Sequence, residues 1–455
     1  MALGRCHMVS AVRAGLSRLP FVALLVLAIM ALSFVFMMLC RYEQNRRNAG
    51  GAGSPQSSAV AYGEELPATG CFTKSITYTC IDAPGRETVS PVVWDDGWFF
   101  GDMRTYNHDL ARASSVLAAL AYSESSHYQE SYQTPPYMEN ALAELGFDEV
   151  TTASYEYRSD LVTQREDTVA YTLARKRVTG ADGSTRSVIL VSVRGSYGSE
   201  WLSNLKIEGV SPEGETALSE DQEARYDHSG YVEAASEVSQ AVAPWVRESH
   251  RRGDQVTLLL VGHSRGGAIA NLVAAQADDE LAALAEDAQP QDGLELAAGD
   301  AVAGYTFASP GCTTSTHAHA ARYGNIFNIA NPADLMPALP LASWGYARYG
   351  VDMNLPAMGE EGFDTQFASM SSAYTELTGE EDPYDPEADQ AVRLVVGEVG
   401  AEVGSVDELV TPGGIAAVAQ ACARHIDPTR ILCGHYPSVY ISWMYTIEAD
   451  DLTLS

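Results

Sequence analysis

The sequence predicts an α/β protein in which helices flank a mostly parallel sheet. Three observations carry this. Strand-like and helix-like segments alternate from 187 to 330. Within that stretch, residues 256–261 (VTLLLV) form a continuous apolar run, the pattern of a strand buried on both faces of a parallel sheet. The run ends in Gly262-His263-Ser264-Arg265-Gly266-Gly267, a glycine-rich turn that opens directly into a small-residue helical segment.

The elements follow in order. Residues 103–123 place Leu110, Ala113, Val116, Leu117, Leu120 and Ala121 at helical spacing. Pro135-Pro136 and residues 138–145 predict a second helix, stopped by Gly146. Residues 168–177 alternate as a strand, Asp182-Gly183 reads as a hairpin turn, and 187–193 is a strand rich in β-branched residues. Residues 231–250 read as a helix in spite of Pro244, and 265–277 as another. Residues 301–307 and 325–329 are two further short buried strands. The stretch 353–415 is acidic, shows little periodicity, and reads as an insertion. Residues 430–445 return to aromatic and apolar density and predict a core segment.

Of the 455 residues, 46% are apolar and 19% charged, a balance that excludes wholesale disorder and a polytopic membrane protein. Against 28 basic residues stand 60 acidic ones, a net charge of −32. Such a chain repels phosphate, so nucleic acid is excluded as a partner.

Residues 1–47 differ, with six Arg and one Glu. Residues 19–39 are 21 uncharged, mostly apolar positions. As a helix they span roughly 31 Å, the thickness of a bilayer core. The run exceeds the roughly 7–15-residue core of a cleavable signal, so an uncleaved transmembrane signal anchor is expected. Residues 1–18 then form a short basic cytoplasmic tail, 40–65 a flexible linker, and 66–455 the folded domain. Three Arg precede the span and three follow it. The short basic N-terminus favours a single-pass cell-membrane protein with its domain outside. Among seven cysteines, Cys71 with Cys80 and Cys422 with Cys433 are close enough in sequence to pair in such a compartment, or to serve as small buried apolar residues.

The turn at 262–267 fits G-x-S-x-G between a strand and a helix. A serine there sits on a strained backbone with its hydroxyl raised above the sheet edge, and the helix N-terminus offers N–H groups to an oxyanion. Serine needs a base, and the expected order is Ser, then acid, then His. Asp334 lies just past the strand at 325–329, where sheet enzymes place functional loops. Downstream of it stand His425 and His435; His435, in Cys433-Gly434-His435-Tyr436-Pro437, is favoured and His425 is the competitor.

These residues resemble the class 3, fungal-type triacylglycerol lipases of the α/β-hydrolase superfamily. The matching segments run in the family's order: Arg194-Gly195-Ser196 with Trp201-Leu202, His228-Ser229-Gly230-Tyr231, the GHSRGG turn, Thr306-Phe307-Ala308-Ser309-Pro310-Gly311, NPADLMPALP from Asn331, and Gly434-His435-Tyr436. The resemblance implies an α/β-hydrolase-like fold and carboxylic-ester hydrolysis without a cofactor. It implies Ser264 as nucleophile, Asp334 as acid and His435 as base. It assigns the oxyanion hole to the N–H groups of Ser196 and Arg265. Arg265 stands where the family more often has Leu. No amphipathic lid is recognisable in 199–205 or 209–223.

His317 and His319, two apart on a predicted helix, do not share a face, and the acidic runs near 360 and 380 lack calcium-loop spacing, so no metal is expected. The expected partners are a lipid or other ester substrate, and the membrane through the N-terminal helix. The rival readings are a phospholipase, thioesterase or acyltransferase on the same fold, and a non-catalytic surface-anchored binding protein. Oligomeric state is left open.

Overall fold

Period-two burial opens the folded chain. In a computed structural model, β1 (Cys71–Cys80) and β2 (Ala83–Asp95) form an antiparallel hairpin that buries Ile76, Tyr78, Val92 and Trp94 and exposes the residues between them. The structure describes residues 69–455 apart from 130–131, 156–168, 197–228, 287–292, 406–407, 409–410 and 427–432. The expected anchor at 19–39 lies outside the described residues, among which no helix is long and apolar enough to cross a membrane.

After the hairpin come α1 (His108–Gln129), α2 (Tyr137–Glu144), β3 (Glu149–Ala153), β4 (Tyr171–Thr179) and β5 (Thr185–Val193). Then follow α3 (Ser229–Arg251), β6 (Gln255–His263), α4 (Arg265–Ala285), β7 (Ala301–Phe307), β8 (Ile326–Ala330) and β9 (Val351–Asn354). The last group is α5 (Phe363–Thr378), α6 (Ala388–Glu402), α7 (Pro412–His425), α8 (Pro437–Thr446) and β10 (Thr453–Leu454).

Strands β3 to β10 make one sheet in the order β10-β9-β8-β7-β6-β5-β4-β3. Its five central strands, β5 to β9, are parallel, and both edges are antiparallel. This is an α/β fold with a mixed, mostly parallel sheet. The core alternates as the pleat requires. Val188, Leu190, Leu259 and Val261 face one core with Leu117 and Leu120 of α1 and Val439 and Trp443 of α8. Ile189, Val191, Leu258 and Leu260 face the other, with Val238 and Val242 of α3 and Ile269 and Val273 of α4.

The hairpin is fastened to the sheet by a buried ion pair. Lys176 of β4 meets Asp96 at 2.7 Å and donates to the Leu145 carbonyl at 3.0 Å. Its ammonium also lies over the rings of Phe72 and Trp94. Burial pulls the Lys176 pKa down, and Asp96 opposes that pull.

The stretch 353–415, read as an insertion of little periodicity, begins in β9, inside the sheet, and then builds α5, α6 and the start of α7. The apolar stripe of α6 is narrow, with Val392, Val395 and Val399 buried while its other faces carry charge, so acidity masked the period. The suggested Cys71–Cys80 pairing fails. The two residues stand at opposite ends of one ten-residue strand, about 30 Å apart at 3.3 Å per residue. No disulfide joins the described cysteines, Cys422 and Cys433 included.

Candidate active site

Between the end of β6 and the start of α4 a single residue turns the chain. Ser264 takes φ 59° and ψ −133°, a backbone state that costs a side-chain-bearing residue on the order of 1–3 kcal/mol. Its N–H donates to the Phe307 carbonyl at 2.9 Å. Glycine neighbours make the turn feasible. A Cβ on Gly262 would stand 2.3 Å from the Gly266 carbonyl oxygen, and one on Gly266 would stand 2.2 Å from that of Val193. The N–H groups opening α4 point their partial positive charge toward the turn.

The chain leaving β5 runs beside it. A Cβ on Gly195 would meet Tyr122 Oη at 2.0 Å, the His263 carbonyl oxygen at 2.5 Å and Ser264 Cβ at 3.1 Å. Ser196 follows and is buried, as is Arg265 beyond the serine. Their backbone positions flank the nucleophile turn.

Asp334 stands four residues past β8, with its N–H donating to the Asn331 carbonyl at 2.9 Å. Its Oδ2 accepts from His435 Nδ1 at 2.6 Å and from Tyr440 Oη at 2.9 Å, and its Oδ1 accepts from the Met336 N–H at 2.9 Å. All three side chains are buried. Burial, then the Asp334 charge, pushes the Tyr440 pKa well above its ordinary value, so the phenol stays a donor. His425, the competitor, bonds Glu398 of α6 at 2.7 Å instead.

His435 is also held by His263, whose ring packs against it at 4.8 Å between centroids and a 57° tilt, and whose Nε2 donates to the His435 carbonyl at 2.8 Å. That bond fixes the tautomer, so His263 Nδ1 accepts from Tyr122 Oη at 2.9 Å. Burial, with the adjacent His435, drives the His263 pKa well below its ordinary value and keeps the ring neutral. The structure thus gathers Ser196, Ser264, Arg265, Asp334 and His435 at the C-terminal ends of β5, β6 and β8, where open α/β sheets place their sites. Sequence reasoning missed Tyr122, Asn331 and Tyr440, and weighed His263 only as part of the motif. The Trp201-Leu202 and His228 matches, and the segments read for a lid, lie outside the described residues.

A cavity of about 520 Å³ opens elsewhere, beside Trp98, Tyr106, His108, Arg112 and Tyr305. None of the five gathered residues lines it, and its polar groups serve the fold: Arg112 donates to the carbonyls of Met444 and Ile447.

Residues 190–344 match the sequence model of the class 3 lipases, about a third of the chain. Over these residues the chain is similar to the class 3 lipases, a family of carboxylic-ester hydrolases. No curated protein matches the chain. Similar solved structures include the Rhizomucor miehei triacylglyceride lipase, at 18% identity over 54% of this chain and 79% of that one, with a TM-score of 0.35. They also include lipase II from Rhizopus niveus (15% identity, 54% and 80% covered, TM-score 0.33) and the lipase from Rhizopus microsporus var. chinensis (14% identity, 54% and 74% covered, TM-score 0.33). The matched segment spans β6, α4, β7, β8 and Asp334, and His435 enters the site from well beyond it.

Proposed function

We propose that this chain hydrolyses carboxylic esters through a Ser264–His435–Asp334 triad and an acyl-enzyme. The observation that carries the reading is the buried 2.6 Å Asp334–His435 pair, whose imidazole packs against the ring of His263, the residue preceding a strained Ser264. His435 Nε2 takes the Ser264 proton as Oγ attacks the ester carbonyl. Asp334 holds the ring in that tautomer and stabilises the imidazolium. The N–H groups of Ser196 and Arg265 receive the oxyanion. Collapse breaks the ester C–O bond, and the alcohol leaves with the proton. Water, deprotonated by His435, then releases the acid and regenerates Ser264.

The substrate class we favour is a lipid ester, presented to a domain held outside the cell by the 19–39 anchor. Reaction of the full-length protein in detergent with a fluorophosphonate tests the chemistry. Labelling at Ser264, lost in Ser264→Ala, is expected. A folded protein that stays unlabelled would favour the non-catalytic binding protein. Leaving-group and chain-length profiles then separate lipase from phospholipase, thioesterase or acyltransferase. For the anchor, the full-length chain should stay with membranes at alkaline pH while a chain lacking residues 1–47 is released; release of both would discard the anchor.

A further inference from the structure

The segment between the acid and the histidine brings one side chain of its own to the site. Tyr384, between α5 and α6, is buried, and its Oη donates to Asn331 Oδ1 at 3.1 Å. The same oxygen accepts from the Ala333 N–H at 3.1 Å, so both of its lone-pair directions are occupied. The amide orientation is thereby set, and Asn331 Nδ2 donates to the Gly434 carbonyl at 2.9 Å. A second polar link therefore joins the Asp334 loop to the His435 turn, parallel to the Asp334–His435 bond. The two backbones leave little slack, since a Cβ on Gly434 would come 2.9 Å from the Ala333 carbonyl oxygen. The Tyr384 ring is itself fixed, 5.4 Å from Phe367 of α5 and 6.5 Å from Trp443 of α8. Burial, with the charges of Asp389, Asp382 and Asp334, raises the Tyr384 pKa far above working pH, so its hydroxyl remains a donor.

We infer that Tyr384 is a positioning residue, which through Asn331 sets the register of Asp334 against His435. The inference rests on the triad proposed above. It gives the acidic segment a part in the chemistry that the matched 190–344 region does not contain.

The test is Tyr384→Phe in the full-length protein, which keeps the ring and removes only Oη. Turnover of a soluble p-nitrophenyl ester should fall about three- to ten-fold at unchanged KM, the worth of one buried hydrogen bond. Phosphonylation of Ser264 should slow by the same factor. The acid limb of kcat/KM should move to lower pH, because a loosened Asp334 stabilises the imidazolium less; His263 packs against His435, and Tyr440 packs against His263 and donates to Asp334. Combined with Asn331→Ala, or Asn331→Ser if that variant does not fold, Tyr384→Phe should add nothing further. A folded Tyr384→Phe with the parent's turnover and pH limb overturns the inference. So do losses that simply add to those at Asn331, or a lowered melting temperature with intact kinetics. A parent that is not labelled at Ser264 defeats the triad itself, and this inference falls with it.

Discussion

Each atom of the site is held by something that is not part of the reaction. Ser264 is the extreme case, because its positive φ persists only while Gly262 and Gly266 let helix and strand touch. Gly195 lets the chain ahead of Ser196 pass close to His263 and Ser264, and the contribution proposed for Ser196 is a backbone N–H. Ser196→Pro deletes that donor. We expect turnover to drop by about 10²–10³-fold with Ser264 still labelled, because one oxyanion donor is worth about 2.7–4 kcal/mol. Unchanged turnover in the folded variant would take Ser196 out of the hole. Residues whose role depends on a local turn were legible in the sequence: Ser264 and its glycines announce themselves within six positions. Asp334 and His435 were found through loop context and the family's motif order. Asn331, Tyr384 and Tyr440 were not found. Their hydrogen bonds reach 53 to 109 positions along the chain, and no spacing records a partner so distant.

Elements were legible where one period dominated. The buried run of β6 and the stripe of α1 are of that kind, whereas α6 carries its valines inside an acidic sequence. The β1–β2 hairpin has clean alternation but lies ahead of the motifs that drew the reading. Helix α1 holds a less visible cost. Glu124 is fully buried; Oε2 accepts from the Met138 N–H at 2.8 Å, while Oε1 has no hydrogen-bond partner among the described residues. Burial raises its pKa from 4.5 to about 7. Between those values the folded chain holds a proton that the unfolded chain has lost, so stability falls as pH rises through that window. Glu124→Gln removes the titration. Its melting temperature should gain on the parent's between pH 5 and pH 8, as thermal scans at the two pH values would show. A gap independent of pH would mean that Glu124 is ionised in the fold.

For the molecule as a whole, the hairpin and the sheet are separate β-structures, joined through a shared apolar core and the buried Lys176–Asp96 pair. Lys176→Met strips Asp96 of its cation in a dry setting. Denaturant unfolding should report a loss of about 3–5 kcal/mol, and a smaller loss when Asp96→Asn accompanies it. A cost below 1 kcal/mol would show that the aromatic packing alone fastens the hairpin. The site is spread over the chain as widely as the fold. His263, beside the nucleophile, and His435 are 172 positions apart. At about 5–20 residues per second, a ribosome takes roughly 10–30 s to cover that distance. During that interval the nascent chain carries Ser264 without the base proposed for it. Distance in sequence thus acts as a delay: under the proposed triad, the nascent chain would stay inert until the Asp334 loop, Tyr384 and His435 had been delivered in turn.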